Sequence, residues 1–219
     1  MTSSDAPLAP AEPDVPDDLA VGSLPDRLID DEVEELAVSG VDLSARDARG
    51  LTMRDVVLSE VGVNELVLTR ARLRDVIVRN ADAANIHLDE AELHRIRFDR
   101  SRLTGAVLAG AHLEDVTFVA CRLDLCNLRF ARLERVRFEG CAMRGADLQG
   151  VQCSSVEFRD CELAEVSWTR AALERTELRR CDLTGSNGLE GLRGARMAYD
   201  DVIRSMHEIV QAAGIHVID

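Results

Sequence analysis

The six cysteines are the residues of this chain whose type and spacing most invite chemistry. Cys121, Cys141, Cys161 and Cys181 recur every twenty residues, with Cys126 and Cys153 between them. A thiolate ladder would bind a soft metal, and paired thiols would form disulfides. Zinc sites, however, favour ligands paired on loops, and no CxxC occurs here. Neighbours in an in-register parallel stack are also poorly oriented for a disulfide. The cysteines are therefore read as small buried hydrophobes. His87, His94 and His112 fall on outward positions, and His207 and His216 in the C-terminal region, none beside a nucleophile or ligand set. There is no phosphate-cradling glycine motif, nucleophile elbow or HExxH. The residues predict no catalytic group, no metal and no cofactor, and hence no enzyme.

The elements that carry these residues follow from a count of five. From Leu36 to Gly185 the third residue of each five is nearly always Leu, Phe, Val or Met, and the first is small or aliphatic. Five fits neither the helix period of 3.6 nor the strand period of 2. It fits a chain that turns a corner every five residues, with the first and third side chains pointing inward. Gly40, Gly50, Gly105, Gly110, Gly140, Gly145, Gly150 and Gly185, with Asn80 and Asn85, all occupy the fifth place. These residues best tolerate positive φ, so the fifth place is the corner. Sorting by twenty puts Phe98, Phe118, Phe138 and Phe158 in one column and Cys121–Cys181 in another. Like stacks on like, as in a four-sided coil. Thirty pentads then make about 7.5 coils, roughly 36 Å long at a strand spacing of ~4.8 Å.

Charge and composition set the remaining boundaries. The net charge is −14, and all 26 basic residues are Arg. Residues 1–40 hold eleven acids and one Arg, whereas 41–185 hold 24 acids and 22 Arg. All five prolines, Pro7, Pro10, Pro13, Pro16 and Pro25, sit in the N-terminal arm. The composition predicts an acidic, disordered arm over 1–26, a lead-in or cap over 27–35, the solenoid over 36–185 and a closing segment over 186–219. No apolar run reaches membrane-spanning length and no secretory leader is evident, so a cytoplasmic protein without membrane contact is expected. In the last segment, Val202, Met206, Ile209, Val210 and Ala213 share one face of a helix expected over about 198–213. With Tyr199 and Ile203 they form the candidate cap and dimer surface.

The pentads ADLQG (146–150), CDLTG (181–185) and VDLSA (41–45) resemble the pentapeptide-repeat family. The resemblance implies an all-β fold, a right-handed quadrilateral β-helix with a C-terminal α-helix cap, mostly non-enzymatic roles, and pairing through C-terminal ends into homodimers. It also implies one specific partner, because several relatives act as DNA mimics that occupy DNA gyrase and protect it from quinolones. A matching acidic stripe is sought on one side, where Asp42, Glu65, Asp82, Asp124, Glu162, Glu165 and Asp182 oppose only Arg102, Arg122 and Arg144. That net charge is far below the one per ~1.7 Å of a duplex. No basic stripe is present, so direct nucleic-acid binding is not expected. The leading expectation is a non-catalytic protein-interaction scaffold, with gyrase binding as the alternative.

Overall fold

The computed structural model describes residues 6–25 and 27–215. Its repeating element is an eight-residue strand every twenty residues: β2 (Glu32–Ser39), β3 (Thr52–Ser59), β4 (Arg72–Arg79), β5 (Glu92–Asp99), β6 (His112–Val119), β7 (Arg132–Glu139) and β8 (Gln152–Arg159). An eighth copy is split into β9 (Ala172–Glu174) and β10 (Glu177–Arg179). All pair in parallel with partners twenty residues apart, as in Phe98 with Phe118. Each long strand bends across two sides of the coil. The other two sides carry single bridges, such as Asp82 with Arg102 and His87 with Val107. In the coil 91–110 the sides are 91–95, 96–100, 101–105 and 106–110, called first to fourth below.

The corners explain why five residues suffice for a side. Every fifth residue from Asp30 to Gly185 has positive φ, between 46° and 71°. Most are not glycine, and each such residue costs on the order of 1 kcal/mol in this conformation. The cost is offset locally, because most corner amides between the long strands find a carbonyl in the next coil. Glu60 donates to Arg79 O at 2.9 Å and Ala120 to Glu139 O at 2.8 Å. Where the third and fourth sides end, Leu66 N also donates to Val63 O, closing a four-residue turn with positive φ at its third residue, as in a type II turn. The expected frame is thus present and starts earlier than expected. Asp30 and Glu35 are already corners and Leu28 and Val33 are already buried, so 27–35 belongs to the solenoid.

First and third positions fill the interior. Phe98, Phe118, Phe138 and Phe158 stack with centroids 4.9–5.0 Å apart and rings within 4° of parallel. That spacing is imposed by the backbone ladder, and Trp168 closes the column edge-on to Phe158 at 5.6 Å. Burying each large apolar side chain contributes about 1.5–3 kcal/mol, and the repeat supplies several per coil.

Both ends differ from their expectations. The composition of 1–26 predicts disorder, yet residues 6–25 lie along the rod. Ala11 N donates to Asp115 Oδ1 at 3.0 Å and Asp14 N to Asp75 Oδ1 at 2.9 Å. The segment then adds a short strand, β1 (Ala20–Val21), to β2 and buries Leu24 beneath the first coil. Composition misjudges it because its order comes from carboxylates of the rod and not from a core of its own. Residues 1–5 and Asp26 lie outside the described residues.

At the other end the last coil is covered by the 3-10 turn Leu189–Leu192 and by β11 (Arg196–Met197). Leu189 is buried there, with Leu192 and Met197 packed on the core. The expected helix is two short ones, α1 (Tyr199–Arg204) and α2 (Met206–Ala212), divided at Ser205. The expected plug face is not the buried one. Tyr199, Val202, Ile203 and Met206 are exposed, Ile209 and Val210 half-buried, and Ala213 exposed. The buried residues are Asp201 and Ser205. Asp201 accepts the Arg180 backbone N–H at 3.0 Å and pairs with Arg204, so α1 docks by a polar anchor.

Candidate interaction surfaces

The interior leaves little chemistry. The four stacked cysteines point their thiols at backbone carbonyls. Cys161, for example, lies 3.4 Å from Phe138 O and 3.3 Å from Arg159 O. Hydrogen bonding among neighbouring thiols, together with burial, pushes Cys141 and Cys181 upward. Burial alone pushes Cys153 up to about 12, and burial with nearby Asp124 does the same for Cys126. Held protonated and pointing inward, Cys126, Cys141, Cys153 and Cys181 are poor nucleophiles and ligands.

The seven acids of the predicted stripe do share the third side. Asp42, Asp82, Glu162 and Asp182 stand in one column of bridges, with Gly62, Arg102, Arg122 and Ala142 between them. The fold divides that column into an acidic patch at each end, separated by arginines. Asp82 is held by both Nε and Nη2 of Arg102 at 2.7 Å. Glu165 is paired with Arg144, whose backbone N–H also reaches Asp124 Oδ1 at 3.1 Å. Asp42 and Asp182 are spent on their own turns, where first the hydroxyls and then the backbone N–H groups of Ser44 and Thr184 hold both carboxyls below their ordinary range. Glu162 and Asp182 also line a cleft facing Arg204 and Glu208 of the helices. Glu65, on a corner near the opposite end, takes no part in these pairs.

A second arrangement, on the first side, escaped sequence reasoning. Its corner column reads Asp75, Arg95, Asp115, Arg135, Ser155. Arg95 Nε reaches Asp75 Oδ1 at 2.6 Å, and Arg135 Nε reaches Asp115 Oδ1 at 2.8 Å. Burial works to raise both carboxyls, but the arginine hydrogen bonds, the arm amides and the arginine charges outweigh it and hold them low. The signal was available: an acid at a fifth position followed by Arg twenty residues later. His94, Glu114 and Asp115 place one ligand atom each within 4.8 Å of one another. Arg135 already binds both carboxylates, so this cluster is an ion-pair network.

These parallel coils of five-residue sides have counterparts in known families. The model described as a pentapeptide repeat region matches residues 91–168 and 111–187, and that for pentapeptide repeats (8 copies) matches 67–105. Together they span more than half of the chain. It belongs to the pentapeptide-repeat family. No curated protein sequence matches. Among solved structures, a trypsin-treated form of QnrB1, a plasmid-mediated fluoroquinolone resistance protein, is 19% identical. The match covers 91% of this chain and 96% of that one, with a TM-score of 0.40. The pentapeptide-repeat protein Rfr23 from the cyanobacterium Cyanothece is 16% identical over 50% of this chain and 84% of its own, with a TM-score of 0.37. HetL from Nostoc, involved in heterocyst differentiation regulation, is 20% identical over 76% and 89%, with a TM-score of 0.23.

Proposed function

We propose that this protein is a non-catalytic interaction scaffold that presents flat, charge-patterned faces to a protein partner and dimerises through its C-terminal helices. One observation carries the reading. The cysteines and the four stacked phenylalanines are buried in the rod, while Tyr199, Val202, Ile203 and Met206 remain exposed at one end. Exposed apolar residues clustered on a short helix pair are the usual mark of a protein contact. Light scattering at micromolar concentration tests it: a dimer is expected, and a single ~24 kDa species would remove the pairing. Val202→Asp with Ile203→Asp would return the dimer to monomer.

A second reading, gyrase binding by duplex mimicry, is supported by the net charge of −14 and by the exposed acids of the third side. It is weakened by the arginines that interrupt them. A supercoiling assay with rising protein separates the two. No effect at tens of micromolar dimer leaves the scaffold alone, whereas inhibition that is lost on reversing Asp124, Glu162 and Glu165 favours the mimic.

A further inference from the structure

The N-terminal arm and the rod share a spacing. Pro7, Pro10, Pro13 and Pro16 recur every third residue, the period of a polyproline II helix. Three residues of that helix advance ~9.3 Å, and two coils of the rod rise ~9.6 Å. The hydrogen bonds keep this register. Ala11 and Asp14 are three residues apart, each directly follows a proline, and they donate to Asp115 and Asp75, two coils apart. The arm therefore runs along the first side, from the 115 coil back towards the first coil, one turn for every two coils.

The acceptors form a ladder longer than the arm's two bonds. Along the first-side corners only Asp75, Asp115 and Ser155 are buried, at 3%, 7% and 2% exposure, and they are spaced by forty residues. Ser155 Oγ has no hydrogen-bond partner among the described residues. One further step of the same register would set it opposite residue 8, the next residue to follow a proline, although the arm makes no bond there. Arginines flank the ladder: Arg54, Arg74 and Arg95 lie beside Asp14 and Pro16, and Arg97 pairs with Glu12 at 3.4 Å. The arm itself is thinly held, since Leu8 is exposed and none of residues 6–20 is buried. Segments with so few buried contacts open easily.

We propose that the first side of the rod is a recognition surface for an extended, acidic peptide segment with proline at every third residue. Residues 7–16 occupy it in cis and are displaced by a protein partner carrying such a segment. The inference rests on the scaffold reading and assigns it a face. Proline pre-extends the ligand, the amide after each proline is the donor, Asp75, Asp115 and Ser155 are the acceptors, and the arginines select acids between the prolines. A partner that also engages Ser155 makes one bond more than the arm does.

The test keeps the full chain. Ala11→Pro with Asp14→Pro deletes both donors while leaving the arm compatible with polyproline II. A fluorescein-labelled peptide of residues 6–19 is titrated into both proteins and followed by anisotropy. Intramolecular occupation acts as a competitor at about millimolar effective concentration, so the peptide should bind the variant about tenfold or more tighter than the wild type. Asp115→Ala in the variant background removes the acceptor and should abolish that gain, and amide exchange at Ala11 and Asp14 should be slowed in the wild type. Equal binding to both proteins, or no saturation of the variant by ~1 mM, overturns the proposal. Those results would leave the dimer and supercoiling tests of the scaffold reading unaffected. A fully exchanging Ala11 amide in the wild type would also overturn it, by removing the cis occupant.

Discussion

The middle of the rod and its C-terminal end use apolar residues in opposite ways. Between 91 and 170 nearly every large apolar side chain points inward and stacks on its counterpart twenty residues away, as Phe118 does on Phe98 and Phe138. Beyond Gly185, Tyr199, Val202, Ile203 and Met206 of the helix pair stay in solvent, Ile209 and Val210 are only half covered, and α1 is held instead by the carboxylate of Asp201. The difference lies in what each segment must satisfy. In the rod, backbone pairing with the next coil fixes where a side chain goes before its chemistry matters. At the end there is no next coil, so the last carbonyls and amides recruit polar partners, and no ladder turns the apolar side chains of the helix pair inward. Apolar pattern alone therefore reports burial only where a lattice of backbone bonds enforces it.

The largest effect expected of this contrast is in the stacked column. Phe138→Ala should lower the unfolding free energy in urea by about 3–5 kcal/mol, since it opens a hole between two fixed rings. A loss below ~1 kcal/mol would show that the coils collapse around the gap and are less rigid than their register suggests.

Next in size is the first-side network. Asp115→Ala strands Arg135 beside Glu114 and should cost about 1–3 kcal/mol. Asp75 and Asp115 are held below their unfolded carboxyl values, so their contribution is complete above those values and is lost as pH falls through the lower folded ones. Acid titrations of stability should consequently be shallower for Asp115→Ala than for the wild type.

Corner glycines offer a finer comparison within the rod. Gly140 and Gly150 both have positive φ, but a Cβ at Gly140 meets nothing, whereas one at Gly150 would lie 2.6 Å from the Phe130 ring. Gly140→Ala should cost about 1 kcal/mol from the backbone alone. Gly150→Ala should cost more, by the displacement of Phe130, and equal losses would show that this exposed ring moves freely. The smallest stability effect belongs to the end. Val202→Asp should change unfolding by no more than about 0.5 kcal/mol at monomeric concentrations while weakening self-association. A large loss would mean that the helix face is packed within one chain after all.

How far the chain could be read follows the same division. The corner at every fifth residue was legible from glycine and asparagine placement, although most corners carry neither. Columns of twenty exposed the phenylalanine and cysteine stacks directly. The extra pentads before Leu36 were hidden because Leu28 and Val33 keep the beat amid acids that read as a lead-in or cap. The Asp75–Arg95 and Asp115–Arg135 pairs were present in the same columns, but charged residues at corners looked like solvated surface. The acids of the third side were correctly grouped onto one face. Their interruption by Arg102, Arg122 and Arg144 became decisive only when side chains had places.

Periodicity and residue type were thus sufficient for the coil, its corners and its core, because each is a local rule repeated until it leaves no alternative. The path of the arm, the partners of the surface carboxylates and the outward turn of the helix pair were decided by the assembled rod. Each depends on single long-range bonds, such as Ala11 to Asp115 or Arg180 to Asp201, and a bond made once leaves no period to read.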